Sequence, residues 1–286
     1  MSALLFSILS AFVKLESYSM PSMETVFWRS SIAWLLCLIV MRFYNVSVFV
    51  ERQFWPALTA RCFFGTCAMS LSFYAMQQMV LADASVLLAT SPVTTFFLGA
   101  VLLGEHIDPI SLCFALLSFV GVTCVSRPTW LFGAHAEDAA TKAGSLVGAL
   151  CCLLSATSVS FVYVSMRRLQ HLHFLVVIHY FSLAATIASL VPLLWQGTFV
   201  VHMTTATWLA SVGSGVVGFV GQLFLTRGFQ LEKAGVASVM SYLNVVFVFI
   251  WDFVFLHETI NPWSIVGAAI ICGCAIMIVL RRMNHK

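Results

Sequence analysis

The sequence predicts an all-α membrane protein with ten transmembrane helices arranged as two inverted five-helix repeats. Three observations lead to this fold class: the composition, the apolar segments and an internal duplication. The chain is 61% hydrophobic but only 9% charged, whereas soluble domains average about 25% charged residues. Its 14 Lys and Arg and 11 Asp and Glu are too few to coat a water-soluble chain of 286 residues. We therefore predict an integral, multi-pass membrane protein.

Ten apolar segments are each close to the length that a helix needs to cross a bilayer, about 20 residues. The first segment has neither a basic leader nor a clear cleavage site, so we expect a retained span rather than a signal peptide. This first segment is short for a membrane-spanning helix, and the sequence leaves open whether its start is truncated. The predicted spans cover residues 1–17, 24–44, 56–76, 83–103, 109–126, 144–165, 173–195, 205–227, 235–256 and 262–280.

The duplication is visible when residues 77–111 are aligned with residues 230–264, a shift of 153 positions without gaps. Roughly a third of the aligned pairs are identical, and the polar ones among them flank a shared apolar run that is long enough to span a bilayer. The polar stretch 129–143 lies midway along the chain. We therefore predict a first repeat at 1–128, a linker at 129–143 and a second repeat at 144–281. The matched pairs include Gln77 with Gln230, Ser85 with Ser238, Glu105 with Glu258 and Pro109 with Pro262.

Lys and Arg in the short loops predict the orientation, because cytoplasmic loops carry an excess of both. A cytoplasmic N-terminus places eight of these residues on the cytoplasmic side and three on the far side. Both termini are therefore predicted to be cytoplasmic, whether the membrane is the plasma membrane or an endomembrane. Because each repeat has an odd number of spans, the second repeat is inverted relative to the first, as in many secondary transporters.

Ionisable residues inside spans are costly, so they usually face a cavity or a partner. Arg61 lies about five residues inside the third span, and we favour a functional role for it. For Arg227 and Asp252 the alternative is a long stem in lipid with its charge at the interface. Lys14 and Arg29 are as well explained by a structural role between the first two helices, with Glu16 or Glu24.

Uncharged polar residues also mark the middle of the spans. Ser91 precedes Pro92, which interrupts the helical hydrogen bonds of the fourth span, and the repeat places Asn244 at the position of Ser91. Such a pair is expected of a central site between repeats, although polar side chains also join helices. Tyr74, Gln222 and Tyr242 are further candidates. His179 could relay protons or simply pack, and the glycines of the eighth span, at 213, 215, 218 and 221, are predicted to pack closely.

Several other function classes find no support in the sequence. Hydrolase, metalloprotease, phosphate-loop and dinucleotide motifs are missing, as are nucleic-acid-binding motifs. The nine cysteines lie in apolar runs without metal-site spacing, so we expect no disulfide, metal or cofactor. Transport would then be driven by a gradient, such as a coupled proton, or by a counter-substrate. The sequence leaves open whether the protein forms a homodimer.

Some stretches resemble the drug/metabolite transporter superfamily, in its EamA branch. Residues 80–85 (VLADAS) and 103–109 (LGEHIDP) carry the resemblance, and 256–262 (LHETINP) is a degenerate second copy. The chain is also similar to solute carrier family 35, subgroup G, through 27–29 (FWR) and 230–235 (QLEKAG).

The resemblance implies a secondary transporter whose central cavity is lined by the first, third, fourth, sixth, eighth and ninth helices. Its substrate would be a small organic metabolite, with an organic anion such as a carboxylate favoured over a nucleotide sugar or an amino acid. Arg61 would attract the anion, and the uncharged candidates would orient it. The ninth span has Tyr242 and Asn244 where a phosphate-ester carrier would have a Lys-Arg pair. A membrane scaffold without transport and a membrane acyltransferase are the rival hypotheses.

Overall fold

The computed structural model describes residues 1–16, 20–78, 81–126, 131, 146–196, 204–256 and 262–284. Regular structure in these ranges is helical, with short 3-10 turns at Arg52–Phe54 and Met240–Tyr242. The α-helices are α1 Ser2–Glu16, α2 Ser22–Phe43, α3 Trp55–Gln78, α4 Leu81–Leu88, α5 Ser91–Leu103, α6 Pro109–Ser126, α7 Leu146–Arg168, α8 Phe174–Gln196, α9 Thr205–Leu231, α10 Ala234–Val239, α11 Leu243–Leu256 and α12 Pro262–Asn284.

The ends of the helices follow from local chemistry. Helices α6 and α12 both begin with proline, which is tolerated there because the first helical N–H has no intrahelical acceptor. Helix α5 ends at Leu103 and is capped by Gly104, whose φ of 65° is left-handed, a conformation that glycine adopts without steric cost. Helix α8 begins after His173, whose Nδ1 accepts a 3.3 Å hydrogen bond from the backbone N–H of Leu175.

In the described part of the chain, seven helical segments are long and apolar enough to cross a membrane. Together with the family comparison below, they make this an integral multi-pass membrane protein. The ten predicted spans include α1, α3 and the stretch 234–256, which are not among these seven. The seven are Met23–Phe43, Ala84–Leu103, Pro109–Ser126, Val147–Arg168, Phe174–Trp195, Thr207–Leu231 and Trp263–Arg281.

The helices pack into two compact units. Unit 1 comprises Met1–Thr66 and Ser165–Leu231, and unit 2 comprises Cys67–Val164 and Glu232–Lys286. Each unit therefore draws on both halves of the chain and does not follow the sequence repeats, which stay a prediction. The boundaries between the units fall within α3 and α7 and at the end of α9.

Unit 1 is built on α9, which packs along α1 and α2, while α2 also packs along α8. Glycines on α9 permit the close approach. A Cβ atom built on Gly215 would lie 2.6 Å from Ile32 Cγ2, and one built on Gly213 would lie 3.0 Å from Phe12 Cζ. These glycines have the packing role that the sequence predicts, because small residues let helix backbones approach each other in lipid.

Unit 2 is built on α6 and α12, which pack along each other more extensively than any other helix pair within it. The two helices meet at Gly121 and Gly267, where a Cβ atom on Gly121 would lie 2.9 Å from the Gly267 carbonyl oxygen. Helix α10 lies on α5 in a similar way, because Gly235 faces the ring of Phe96, 2.5 Å from the place of a Cβ atom. Close approach through glycine thus fixes both pairs of helices.

Candidate functional site

Arg61, on α3, is the one charged side chain among the six predicted site residues, and it is buried. Its side chain is 2% exposed, and its Cζ lies 3.7 Å from the centre of the Phe181 ring on α8. Its Nη2 donates a long hydrogen bond, 3.4 Å, to Oε1 of Gln222 on α9. An aromatic face and an amide oxygen thus hold the guanidinium within unit 1. A desolvated contact of this cation–π kind is worth about 2 kcal/mol.

Gly65, one turn beyond Arg61 on α3, makes room for this arrangement. A Cβ atom at Gly65 would lie 2.5 Å from Arg61 Nη1 and 2.7 Å from Phe181 Cε2. Any larger residue would therefore have to displace the guanidinium or the ring. Arg61 and Gln222 were candidates from the sequence, but Phe181 and Gly65 were not.

Two helix breaks form the second group of polar atoms, within unit 2. The fourth predicted span is divided between α4 and α5 at residues 89–90, and the ninth between α10 and α11 by the 3-10 turn Met240–Tyr242. The shift of 153 positions carries residue 89 to residue 242, so the breaks occur at equivalent places in the two copies. Discontinuous helices are typical of binding sites in secondary transporters, because the breaks free backbone groups from their intrahelical partners.

Hydroxyl groups donate to backbone carbonyls at and beside the first break. Tyr242 donates a 2.8 Å hydrogen bond to the carbonyl of Ala89. Ser160, on α7, donates to the carbonyl of Ser91 at 2.9 Å and also shares a hydrogen bond with Thr94. The break is therefore lined by hydroxyls from three helical segments. Ser160 and Thr94 were not candidates, since hydroxyls inside helices often bond their own preceding turn and give no separate sequence signal.

The six predicted site residues are thus placed in different surroundings. Arg61 and Gln222 are brought together in unit 1, and Ser91 and Tyr242 lie at the break in unit 2. Asn244 is half-buried, and among the described residues its Oδ1 atom has no hydrogen-bond partner. Tyr74 is 47% exposed, and in the described ranges no hydrogen bond joins it to the other five.

The remaining charged candidates divide between the surface and the interior. Glu16 is 1% exposed; it accepts a 2.9 Å hydrogen bond from Ser214 and is attracted electrostatically to Arg29. This matches the structural pairing that the sequence left open for Arg29. Arg227 is exposed. The side chains of Lys14 and Asp252 lie outside the described residues.

An ion pair ties the loop between α5 and α6 to α12. Arg281 donates to Asp108, which also accepts a 2.6 Å hydrogen bond from Ser111. Burial by itself raises the pKa of Asp108, but the hydrogen bonds from Ser111 and Arg281 and the charge of Arg281 outweigh it, so the pKa lies below its usual value. Both partners are about a third exposed, and such pairs contribute little to stability.

A small cavity of about 20 Å³ adjoins this loop, enough for one water molecule. Glu105 lies on its wall and accepts a 3.1 Å hydrogen bond from the backbone N–H of Ala234. A metabolite needs several hundred Å³, so this cavity is not a substrate site. Within the residues that the structure describes, no group of three His, Cys, Asp or Glu side chains is placed to hold a metal.

The fold and these buried polar groups define a multi-helix membrane protein of the transporter class. A model of the EamA-like transporter family matches residues 1–127 and 146–280. The chain therefore belongs to the EamA-like transporter family. The resemblance noted in the sequence is confirmed.

Individual relatives agree with this family assignment. The chain is 32% identical over 266 residues to the pseudopaline exporter CntI of Pseudomonas aeruginosa, covering 93% of this chain and 89% of the relative. It is 29% identical over 287 residues to solute carrier family 35 member G1 of Homo sapiens, covering 99% and 78%. A crystal structure of 20% sequence identity superposes with a TM-score of 0.82 over 100% of this chain and 96% of its own, which supports the fold alone.

Proposed function

We propose that this protein is a secondary transporter of a small organic anion, and that among such anions the substrate is a carboxylate. The observation that carries the proposal is Arg61, a buried guanidinium within a chain of a transporter family. Burying a cation in a membrane protein is costly, and such groups usually serve binding or ion movement. The planar fork of an arginine matches the two oxygens of a carboxylate, so Arg61 supplies both charge and geometry.

Gln222 would hold Arg61 from α9, while Tyr74, Ser91, Tyr242 and Asn244 would orient the rest of the substrate through hydroxyl and amide groups. Arg61 is 2% exposed, so we propose that it meets the substrate in another conformation of the transport cycle. Either a gradient, such as a coupled proton, or exchange for a counter-substrate would supply the driving force, since the chain has no nucleotide-binding motif. The proposed transport is compatible with either a monomer or a homodimer.

The architecture that we propose has ten transmembrane helices in two inverted five-helix repeats, 1–128 and 144–281, with both termini in the cytoplasm. Two observations support it: helix breaks at equivalent positions of the two copies and the excess of Lys and Arg in the predicted cytoplasmic loops. In an inverted repeat, a site near the axis between the copies is exposed to each side in turn.

Uptake by purified protein in liposomes tests the proposal. We expect accumulation of radiolabelled citrate or succinate, and competition by other carboxylates but not by amines. Arg61→Ala should abolish most of this uptake, and Arg61→Lys should retain part of it, because a lysine keeps the charge without the fork. Uptake of a neutral amine by wild-type protein, with no uptake of either acid, would refute the anion assignment.

Two controls separate loss of binding from loss of fold. Arg227→Ala removes an exposed arginine and should leave uptake unchanged. Thermal unfolding in detergent should also show that Arg61→Lys stays folded. Binding without transport, in wild-type protein that unfolds cooperatively, would instead favour the membrane scaffold.

A second proposal concerns direction. The relative from Pseudomonas aeruginosa is named an exporter and is 32% identical over most of both chains, which favours outward transport here. The protein can be placed in vesicles in a known orientation. Preloaded citrate should then leave faster when the face that is cytoplasmic in the cell lines the vesicle lumen than when it faces outward. Equal rates in both orientations would count against a directional exporter.

A further inference from the structure

The ring of Phe181 lies 3.7 Å from Cζ of the Arg61 guanidinium, and nothing in the sequence marked it. From this contact we infer that Phe181 is a positioning residue that fixes the plane of Arg61 for a carboxylate substrate, with Gly65 providing the space. The inference rests on the proposed function. The inference extends the proposed function by naming the residues that determine how well Arg61 binds the substrate.

The geometry leaves the guanidinium little freedom of rotation. The ring covers one face at 3.7 Å, Gln222 accepts from Nη2 at 3.4 Å, and the backbone of Gly65 lies close enough that an added Cβ atom would be 2.5 Å from Nη1. Arginine donors lie in one plane, so holding that plane fixes the direction of every N–H bond. A bidentate partner benefits because less side-chain entropy is lost on binding.

Arg61, Phe181, Gln222 and Gly65 all belong to unit 1. Residues within one compact unit can stay in contact while the protein changes conformation around its substrate. The stack would thus keep the guanidinium oriented when it becomes accessible. Removing the ring should weaken substrate binding rather than slow the conformational steps.

The test measures citrate uptake kinetics in proteoliposomes. Phe181→Leu should raise KM about thirtyfold with little change in kcat, the factor expected for loss of a desolvated cation–π contact. Phe181→Tyr keeps an aromatic face and should restore KM to within about twofold of wild type. Thermal unfolding of the Leu variant checks that it remains folded.

A double-mutant cycle distinguishes positioning from simple packing. In the Arg61→Lys background, Phe181→Leu should change KM by less than about twofold, because the compact ammonium presents no plane to be held. An equal effect of Phe181→Leu in both backgrounds, or an effect on kcat alone, would overturn the inference.

Glycine provides a matched pair of variants. Gly65→Ala should raise KM, since its Cβ atom would displace Arg61 or Phe181. Gly228→Ala, with no atom within 4 Å of its added Cβ, should leave KM unchanged. If Arg61→Ala has no effect on uptake, or if wild-type protein transports neither citrate nor succinate, the proposed function fails. If Arg61→Ala abolishes uptake while Phe181→Leu and Gly65→Ala leave KM at the wild-type value, the positioning role alone fails.

Discussion

The glycines of α9 allow a graded test of how unit 1 is packed. An added Cβ atom would lie 2.6 Å from Ile32 at Gly215, 3.0 Å from Phe12 at Gly213 and 3.7 Å from its nearest neighbour at Gly218. In real proteins a Cβ atom is essentially never found closer than 3.0 Å to such a neighbour, whereas 3.7 Å is an ordinary van der Waals distance. Alanine substitution should therefore destabilise the protein most at Gly215 and least at Gly218.

The size of each effect follows from two opposing terms. Alanine gains roughly 0.5–1 kcal/mol over glycine in a helix interior. Overpacking costs about 1–3 kcal/mol, and at Gly215 the clash involves Ile32 Cβ, 2.7 Å away, which cannot rotate out of the way. We expect a net loss of about 1–2 kcal/mol for Gly215→Ala, a loss near zero for Gly213→Ala, and a small gain for Gly218→Ala.

Thermal unfolding of the purified variants in one detergent provides the measurement. Gly228→Ala lies on the same helix with no atom within 4 Å of the new methyl group, so it reports the gain in helix propensity alone. The unfolding temperature should fall in the order Gly228, Gly218, Gly213, Gly215 for the four variants, with Gly215→Ala several degrees below wild type. If Gly215→Ala is as stable as Gly218→Ala, the close packing of α2 on α9 is wrong.

Three further changes test other parts of the fold. Gly104→Ala should lower the free energy of unfolding by about 1–2 kcal/mol, because a φ of 65° is strained for alanine; Gly104→Asn should cost less, as thermal unfolding would show. Burial and then the charge of Arg227 lower the pKa of His173 in the folded protein. Below about pH 6.5, the usual pKa of histidine, protons therefore bind the unfolded chain first and the free energy of unfolding falls. His173→Asn should reduce that fall in thermal unfolding measured from pH 7.5 to 5. Tyr242→Phe leaves the Ala89 carbonyl without its donor and should cost about 1–3 kcal/mol; an unchanged denaturation midpoint would contradict this.

The sequence predicts the helices well because their apolar runs have the length that a bilayer demands. The break in the ninth span shows where local reasoning stops. Pro92 signals the first break, but the second copy has Val245 at the equivalent position, which carries no such signal. Shifting the first break by 153 positions would have located the second at residues 242–243, so the duplication held the information that the local sequence lacked.

The candidate site was predicted only in part, for a related reason. Arg61 stands out because a cation in an apolar run is conspicuous, and Gln222 because an amide is. Phe181 is one of 25 phenylalanines, and its role depends on a contact between α3 and α8 that no local pattern encodes. Ser160 bonds the carbonyl of its own preceding turn as well as that of Ser91, so its sequence context is that of any helical serine.

Contacts between equivalent positions give the duplication a physical meaning. The shift of 153 positions carries α2 onto α8 and α6 onto α12, and each of these helices packs against the helix at the shifted positions within one unit. The same shift carries Ala89 onto Tyr242, and these two residues are joined by a hydrogen bond. A position that contacts its own copy lies close to the axis relating the copies, which supports the proposed inverted repeat.

In the inverted repeat that we propose, packing between the copies would also explain why the sequence repeat is not a compact unit. A single repeat would leave one face of α2 and one face of α6 without the partner that each now covers. At Gly121 and Gly267 that partner is backbone, whose close approach lipid chains cannot reproduce. In the proposed arrangement the two copies would be bound by the same contacts that define each unit, and the helix breaks that we propose for substrate binding would be held where one copy meets the other.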